Sequence, residues 1–429
     1  MTRSATPAAP HDNIESPYAW TRLIVSLLLM TIGGSGMYSV TVVLPQIQAE
    51  FGVSRSDASL PYTLTMVGFG LGGILMGRLS DRYGVVLPII VGTVGLSSGF
   101  ILAGNASSLW QFVLVQGLMI GLLGTAATFA PLVADTSQWF TRRRGIAVAI
   151  CMSGNYLAGA VWPPVMQHFI DTAGWRMTYV GIGVFCLLSM LPLALVYRRR
   201  PPSVAAVVGL GPRRDARFAR EAARSDPRRP LGLTPSALQG LLCFAGVACC
   251  VAMAMPQVHI VAYCGDLGFG AARGAEMLAL MLGLGIVSRL VSGWMSDHIG
   301  GLRTLLVGSL LQGLALLLFL NSKGLVSLYL ISALFGLFQG GIVPAYALIV
   351  REYFSPDEAG ARVGTVLMAT LFGMALGGWM SGAIYDLTGS YHAAFLNGIG
   401  WNVLNLSIIG FLLYRARRGL GVFSGPLRA

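Results

Sequence analysis

Twelve apolar runs of about 20 residues each divide this 429-residue chain. A helix rises about 1.5 Å per residue, so such a run just crosses a hydrocarbon core about 30 Å thick. In the first half the runs lie near 20–45, 57–78, 85–104, 109–134, 144–168 and 175–197. In the second half they lie near 236–262, 273–296, 303–321, 326–350, 361–384 and 392–414. Transmembrane barrels are written in short alternating segments, so strands are not expected. Charge agrees: 11% of the residues are charged, where a soluble domain of this size carries roughly a quarter.

The net charge of +12 raises the possibility of nucleic acid. The basic residues, however, sit in loops beside apolar runs, so no nucleic-acid partner is expected. Placing the N-terminus in the cytoplasm puts 24 Arg side chains on the inside. These include Arg3, Arg22, Arg78, Arg82, Arg142–Arg144, ten arginines between 198 and 229, and four beyond 414. Arg55, Arg176, Arg273 and Lys323 fall outside, and Arg289 alone lies in mid-span. Both termini are therefore expected inside a cell membrane, with the arginines against anionic lipid heads. The single Lys against 28 Arg reads as codon bias. Residues 1–19 are a polar tail, and the first apolar run reads as an anchor rather than a cleaved signal. Residues 198–235, rich in Arg and Pro, read as a cytoplasmic linker, and 415–429 as a cytoplasmic tail.

The linker separates 20–197 from 236–414, and the two segments repeat each other. Gly77–Arg78–Leu79–Ser80–Asp81–Arg82–Tyr83–Gly84 follows the second run, and Gly293–Trp294–Met295–Ser296–Asp297–His298–Ile299–Gly300 follows the eighth. Trp139–Phe140 recurs as Tyr353–Phe354, and Asp171–Thr172–Ala173–Gly174 as Asp386–Leu387–Thr388–Gly389, at nearly the same offset. The expected fold is an all-α membrane protein of twelve helices in two pseudo-symmetric six-helix bundles. Transporters built this way bind solute between the halves.

At these residues the chain resembles the major facilitator superfamily, along nearly its whole length. Val85 and Val86 depart from that family's motif, which has basic residues there. Trp139–Phe140, Arg142–Ala147, Gly174–Trp175–Arg176, His259–Tyr263 and Asp266–Gly268 are similar to the monocarboxylate transporter and oxalate–formate antiporter group. The resemblance implies an alternating-access carrier of small organic anions, coupled to protons or to a counter-transported anion. Oxalate-type carriers also use a Lys in the eleventh span, but Gly364–Asp386 contains no Lys or Arg. One cation suits one carboxylate, which favours a monocarboxylate.

Arg289 is the first candidate for binding it. A charge at such depth costs about 2.5–3.5 kcal/mol and so normally faces a cavity or a partner. Arg grips a carboxylate with two parallel hydrogen bonds, although an ion pair within the fold would also explain it. Gly285, Ser292, Gly293 and Ser296 share its helical face and are expected to leave room for a ligand. No second basic residue is expected deep in another span. Tyr38, Thr125 and Thr128, Asn155, Gln339 and Tyr346 are polar residues near mid-span. Each is a candidate cavity contact, weighed against a plain interhelical hydrogen bond. His259 and Asp266, near the outer end of the seventh span, could gate or carry protons, or could simply be interfacial. Asp81 and Asp297 could latch the cytoplasmic side by accepting from facing helix N-termini, or merely cap helices.

Other functions are weaker. Drug-efflux carriers resemble a G-x-x-x-G-P pattern in the fifth span, but Gly154–Gly159 is followed by Ala160. A membrane sensor or scaffold lacks any further folded segment to signal through. No metal cluster, nucleophile elbow or nucleotide loop occurs, so neither an enzyme nor a cofactor is expected. The six cysteines, Cys151, Cys186, Cys243, Cys249, Cys250 and Cys264, have the spacing of neither a disulfide framework nor a metal site. A monomer is the expected functional unit.

Overall fold

The computed structural model describes residues 15–140, 143–199, 230–322 and 324–422. Most of the linker and of the N-terminal tail, and residues 423–429 of the C-terminal tail, lie outside the described residues. Twelve helices are long and apolar enough to span a membrane: α1 Pro17–Phe51, α2 Arg55–Tyr83, α3 Val86–Gly104, α4 Leu109–Trp139, α5 Gly145–Ala173, α6 Trp175–Arg198, α7 Pro235–Asp266, α8 Ala271–Ile299, α9 Gly301–Asn321, α10 Leu325–Tyr353, α11 Glu358–Thr388 and α12 Tyr391–Ala416. Among the described residues there is no strand. Lipid offers the backbone no hydrogen bonds, so each span satisfies its own.

Several helices run past the apolar stretches that announce them. α1 begins at Pro17 and ends at Phe51, and α7 reaches Asp266, because a helix continues in water until a cap stops it. Ser16, Ser54, Ser108 and Thr234 start α1, α2, α4 and α7 by accepting from the backbone N–H three residues on. The last glycine of each repeated motif ends its helix at φ +84°, in Gly84 and in Gly300. A side chain there would be strained, which explains why both copies carry Gly.

Packing follows the repeat. In the first six helices α1 lies on α5, α2 on α4, and α3 on α6; in the last six α7 lies on α11, α8 on α10, and α9 on α12. The halves meet along α2 with α11 and along α5 with α8, contacts that the same two-fold relation exchanges. Glycines allow the closest approaches. A β-carbon on Gly72 would lie 2.7 Å from Ala126 Cβ, and one on Gly336 would lie 2.8 Å from the Met281 carbonyl carbon.

Three spans are interrupted near their middles. α1 breaks at Gly34, α4 loosens over Gln116–Thr125 and breaks before Ala130, and α10 breaks between Gln339 and Ile342. Broken helices in membrane carriers leave free backbone groups where a solute sits.

Candidate functional site

Arg289 lies where the halves meet. Its Nη1 donates to the Met152 carbonyl of α5 at 3.3 Å, and its Nε reaches the Gly340 carbonyl at the break of α10 at 3.5 Å. The guanidinium carbon stands 4.4 Å over the Tyr156 ring. Among the described residues it forms no ion pair with a carboxylate. Half-buried, it has donors left over, since a guanidinium carries five N–H groups.

The space expected beside Gly285 is already filled. A β-carbon there would lie 2.5 Å from Tyr156 Cδ1, so this glycine admits an aromatic ring rather than a ligand. Ser292 packs against Gly341, and Ser296 donates to the Gly293 carbonyl of its own helix. The open side of Arg289 therefore faces α1 and α5. Tyr38 sits there against Gly159, within electrostatic reach of Tyr156 and Arg289. Asn155, one residue before Tyr156, is half-buried over the break of α1, its Oδ1 3.5 Å from where a Gly34 β-carbon would be.

Gln339 adjoins the Gly340 carbonyl that Arg289 touches. Its Oε1 accepts from Gln257 of α7 at 2.9 Å, while its own Nε2 is buried without a partner, as is the Ser288 hydroxyl beside the break. Tyr38 thus lies near Arg289, and Gln339 is next in the chain to the Gly340 carbonyl that Arg289 touches, while Asn155 faces the break of α1. Thr128 and Tyr346 lie elsewhere. Thr128 fills the notch at Gly33 and donates to the Thr125 carbonyl. The Tyr346 hydroxyl donates to Asn405 at 2.8 Å, and Asn405 donates to Ser309, within the second half.

Tyr156 and Gln257 were missed from sequence. Gln257 had a signal, an amide in an otherwise apolar stretch, but Tyr156 became visible only through the packing of α5 on α8.

Two arginines counted as loop charges are buried. Arg22 is 2% exposed, and its Nε and Nη2 donate to both Asp135 oxygens at 2.7 and 2.6 Å. Trp139 and Tyr197 cover its two sides, with ring centroids 4.9 and 4.3 Å from the guanidinium carbon. Arg22 lies near the start of α1, so packing rather than depth in the span buries it, and its reading as a loop charge is corrected. Arg176 of the Gly174–Trp175–Arg176 motif binds Glu50 and the Gly104 and Ala106 carbonyls, tying together α1, α3 and α6.

Arg55 is the second. It crosses from α2 to α7, where Nη1 and Nη2 donate to Asp266 at 2.9 and 3.2 Å. Asp386 of α11 accepts from the backbone N–H groups of Arg55 and Ser56 at 2.8 and 2.7 Å, an anion on a helix N-terminus. Arg55 also donates to Tyr391, which contacts His259. At this end, five hydrogen bonds bind the halves together. At the opposite end, Asp81 and Asp297 are both exposed. Asp266 and His259 thus belong to one latch, whereas Asp81 and Asp297 form no ion pair among the described residues.

Two six-helix halves that share a packing pattern and are latched at one end have the repeated-half architecture found in membrane transporters. The family model of the Major Facilitator Superfamily matches residues 24–325 and 277–427, and the chain belongs to that family. It is 27% identical over 438 residues to monocarboxylate transporter 11 of Homo sapiens, covering 97% of this chain and 86% of that one. It is 30% identical over 327 residues to monocarboxylate transporter 13 of Bos taurus, covering 74% and 71%. Similarity also extends to the MFS-type transporter opdF of Penicillium oxalicum, 26% identical over 388 residues, covering 89% and 85%. Among solved structures, a bacterial homologue of the human lysosomal transporter Spinster, inward-facing and occupied, superposes with a TM-score of 0.71 at 17% identity, covering 94% and 97%. A peptide transporter in complex with sulfate gives 0.72 at 13%, covering 94% and 96%. The protein is a multi-pass membrane transporter of the major facilitator type, related to monocarboxylate transporters.

Proposed function

We propose that this protein carries a small organic anion with one carboxylate, by alternating access, with Arg289 as the anchor. The supporting observation is a mid-membrane guanidinium held by two carbonyls and a ring, with no carboxylate paired to it among the described residues. A charge so placed must find an anion or pay for isolation, and a carboxylate fits its planar fork. On this reading Tyr38, Asn155 and Gln339 would orient the solute. The names of the monocarboxylate transporter relatives point the same way.

The charge bias of the loops assigns the Arg55 end to the outside of the cell membrane and both termini to the cytoplasm. On that assignment the halves are latched outside, with Asp81 and Asp297 free inside, an inward-facing state. An anion entering alone against −100 mV climbs about 2.3 kcal/mol, so a proton or a counter-anion must move with it.

Uptake of radiolabelled short-chain carboxylates into proteoliposomes tests this reading. Arg289→Ala and Arg289→Lys should abolish uptake, with protein yield and insertion retained. The same carboxylates should raise the apparent melting temperature of the wild type but not of Arg289→Ala, since only a ligand of the folded state stabilises it. Full uptake by Arg289→Ala removes the anchor.

A further inference from the structure

The hydrogen bonds at the latch specify where one proton sits. Arg55 has donors only, so Tyr391 Oη, 2.8 Å from Arg55 Nη1, accepts. The Tyr391 proton then points to the other neighbour of that oxygen, His259 Nδ1 at 2.9 Å. Nδ1 must therefore be bare. His259 Nε2 lies 2.8 Å from the Gly378 carbonyl of α11, which can only accept, so Nε2 carries the hydrogen. The chain Arg55 to Tyr391 to His259 to Gly378 is complete only with His259 neutral. His259 and Tyr391 are buried, 0% and 2% exposed, so water cannot mend a broken link.

We propose that His259 is a proton sensor for this latch, and that the Arg55 end shuts only when His259 is unprotonated. A proton on Nδ1 turns an acceptor into a donor aimed at an oxygen that Arg55 already supplies. The hydroxyl proton of Tyr391 then has no acceptor, and an imidazolium faces the guanidinium across one phenol. The same proton is tolerated once Arg55 has withdrawn with α2. Acid therefore holds the latched end open. The proton comes from the solution at that end and returns to it when the latch shuts, so the device sets the population of open carrier without entering the transport stoichiometry.

The groups facing His259 are consistent with one sensor. From α2 come Arg55 and the Tyr62 ring beside Gly378; from α11, Tyr385 and Asp386; from α12, Tyr391; from its own helix, Tyr263 and Asp266. Asp386 and Asp266 are engaged with α2. On α8, Arg273 pairs with Glu276, and at the end of α1 Glu50 pairs with Arg176. His392 lies at the exposed start of α12.

This inference rests on alternating access but not on the substrate, and its test needs no transport. Spin labels at Trp110→Cys and Val326→Cys, in a Cys243→Ser background, report the separation of the latched ends of α4 and α10. Both positions are exposed, 64% and 81%, and belong to different halves. In lipid nanodiscs, distances are measured at about pH 7.5 and about pH 5, either side of the ordinary histidine range. The wild type should gain a longer-distance population in acid. His259→Gln, which keeps His392 and every carboxylate, should stay at the short distance at both values. Tyr391→Phe, which removes the contested oxygen, should lose the acid response as well. A wild type indifferent to pH overturns the proposal, as does an acid opening that survives in either variant.

Discussion

At the scale of single residues, two arginines inside the membrane illustrate opposite outcomes of the same cost. Arg22 has its desolvation offset by a bidentate carboxylate and two aromatic faces, while Arg289 has only carbonyls and one ring. The first is neutralised within the fold; the second has no carboxylate partner among the described residues. Removing one member of a buried pair typically costs about 3–5 kcal/mol, because the other charge is stranded, whereas replacing both by apolar groups is often neutral. Arg22→Leu and Asp135→Leu should each lower the apparent melting temperature in detergent, and the double variant should recover most of the loss. A double variant as unstable as the sum of the singles would mean that the two side chains do not act as a pair. The sequence separated these roles only in part. Arg289 stood out by its depth, but Arg22 stood at the edge of an apolar run and looked like a loop charge.

At the scale of helices, each half is held together by contact between bare backbones. Gly336 of α10 faces the Met281 carbonyl group of α8, and Gly72 of α2 faces Leu122 and Ala126 of α4. Gly73, the next residue, has nothing within 4 Å of its would-be side chain. Gly336→Ala should therefore reduce folded yield and melting temperature, while Gly73→Ala should leave both unchanged or slightly raised, since Ala is the better helix former by about 1 kcal/mol. Equal effects of the two, measured by thermal unfolding, would refute the close-packing account. Composition announced many glycines, but which of the two neighbours is indispensable depends on the partner helix.

At the scale of the whole molecule, the latch at the Arg55 end joins α2 to α7, α11 and α12, while the aspartates of the repeated motifs at the other end form no ion pair among the described residues. Asp81 and Asp297 are exposed, so neither supports the state described here. If they close the carrier in its other state, Asp81→Asn and Asp297→Asn should slow transport severalfold and leave the melting temperature of this state unchanged. A large loss of thermal stability in either variant would place that carboxylate in the present fold instead. Arg55 and Asp386 were legible only as a topology charge and as a repeat marker. Their meeting links residues 331 positions apart, a distance no local pattern records.

Hydrophobic length alone determined that this chain crosses a membrane twelve times, because an unpaired backbone in lipid is too costly for any other solution. The two-fold repeat was likewise readable, since both halves end helices with glycine at the same motif for the same backbone reason. What only the tertiary structure decided is the pairing of charges: which arginine is neutralised within the fold, which is left without a carboxylate among the described residues, and which bolts the halves together. Electrostatic energy falls with separation in space rather than along the chain, so those assignments did not exist until the helices were packed.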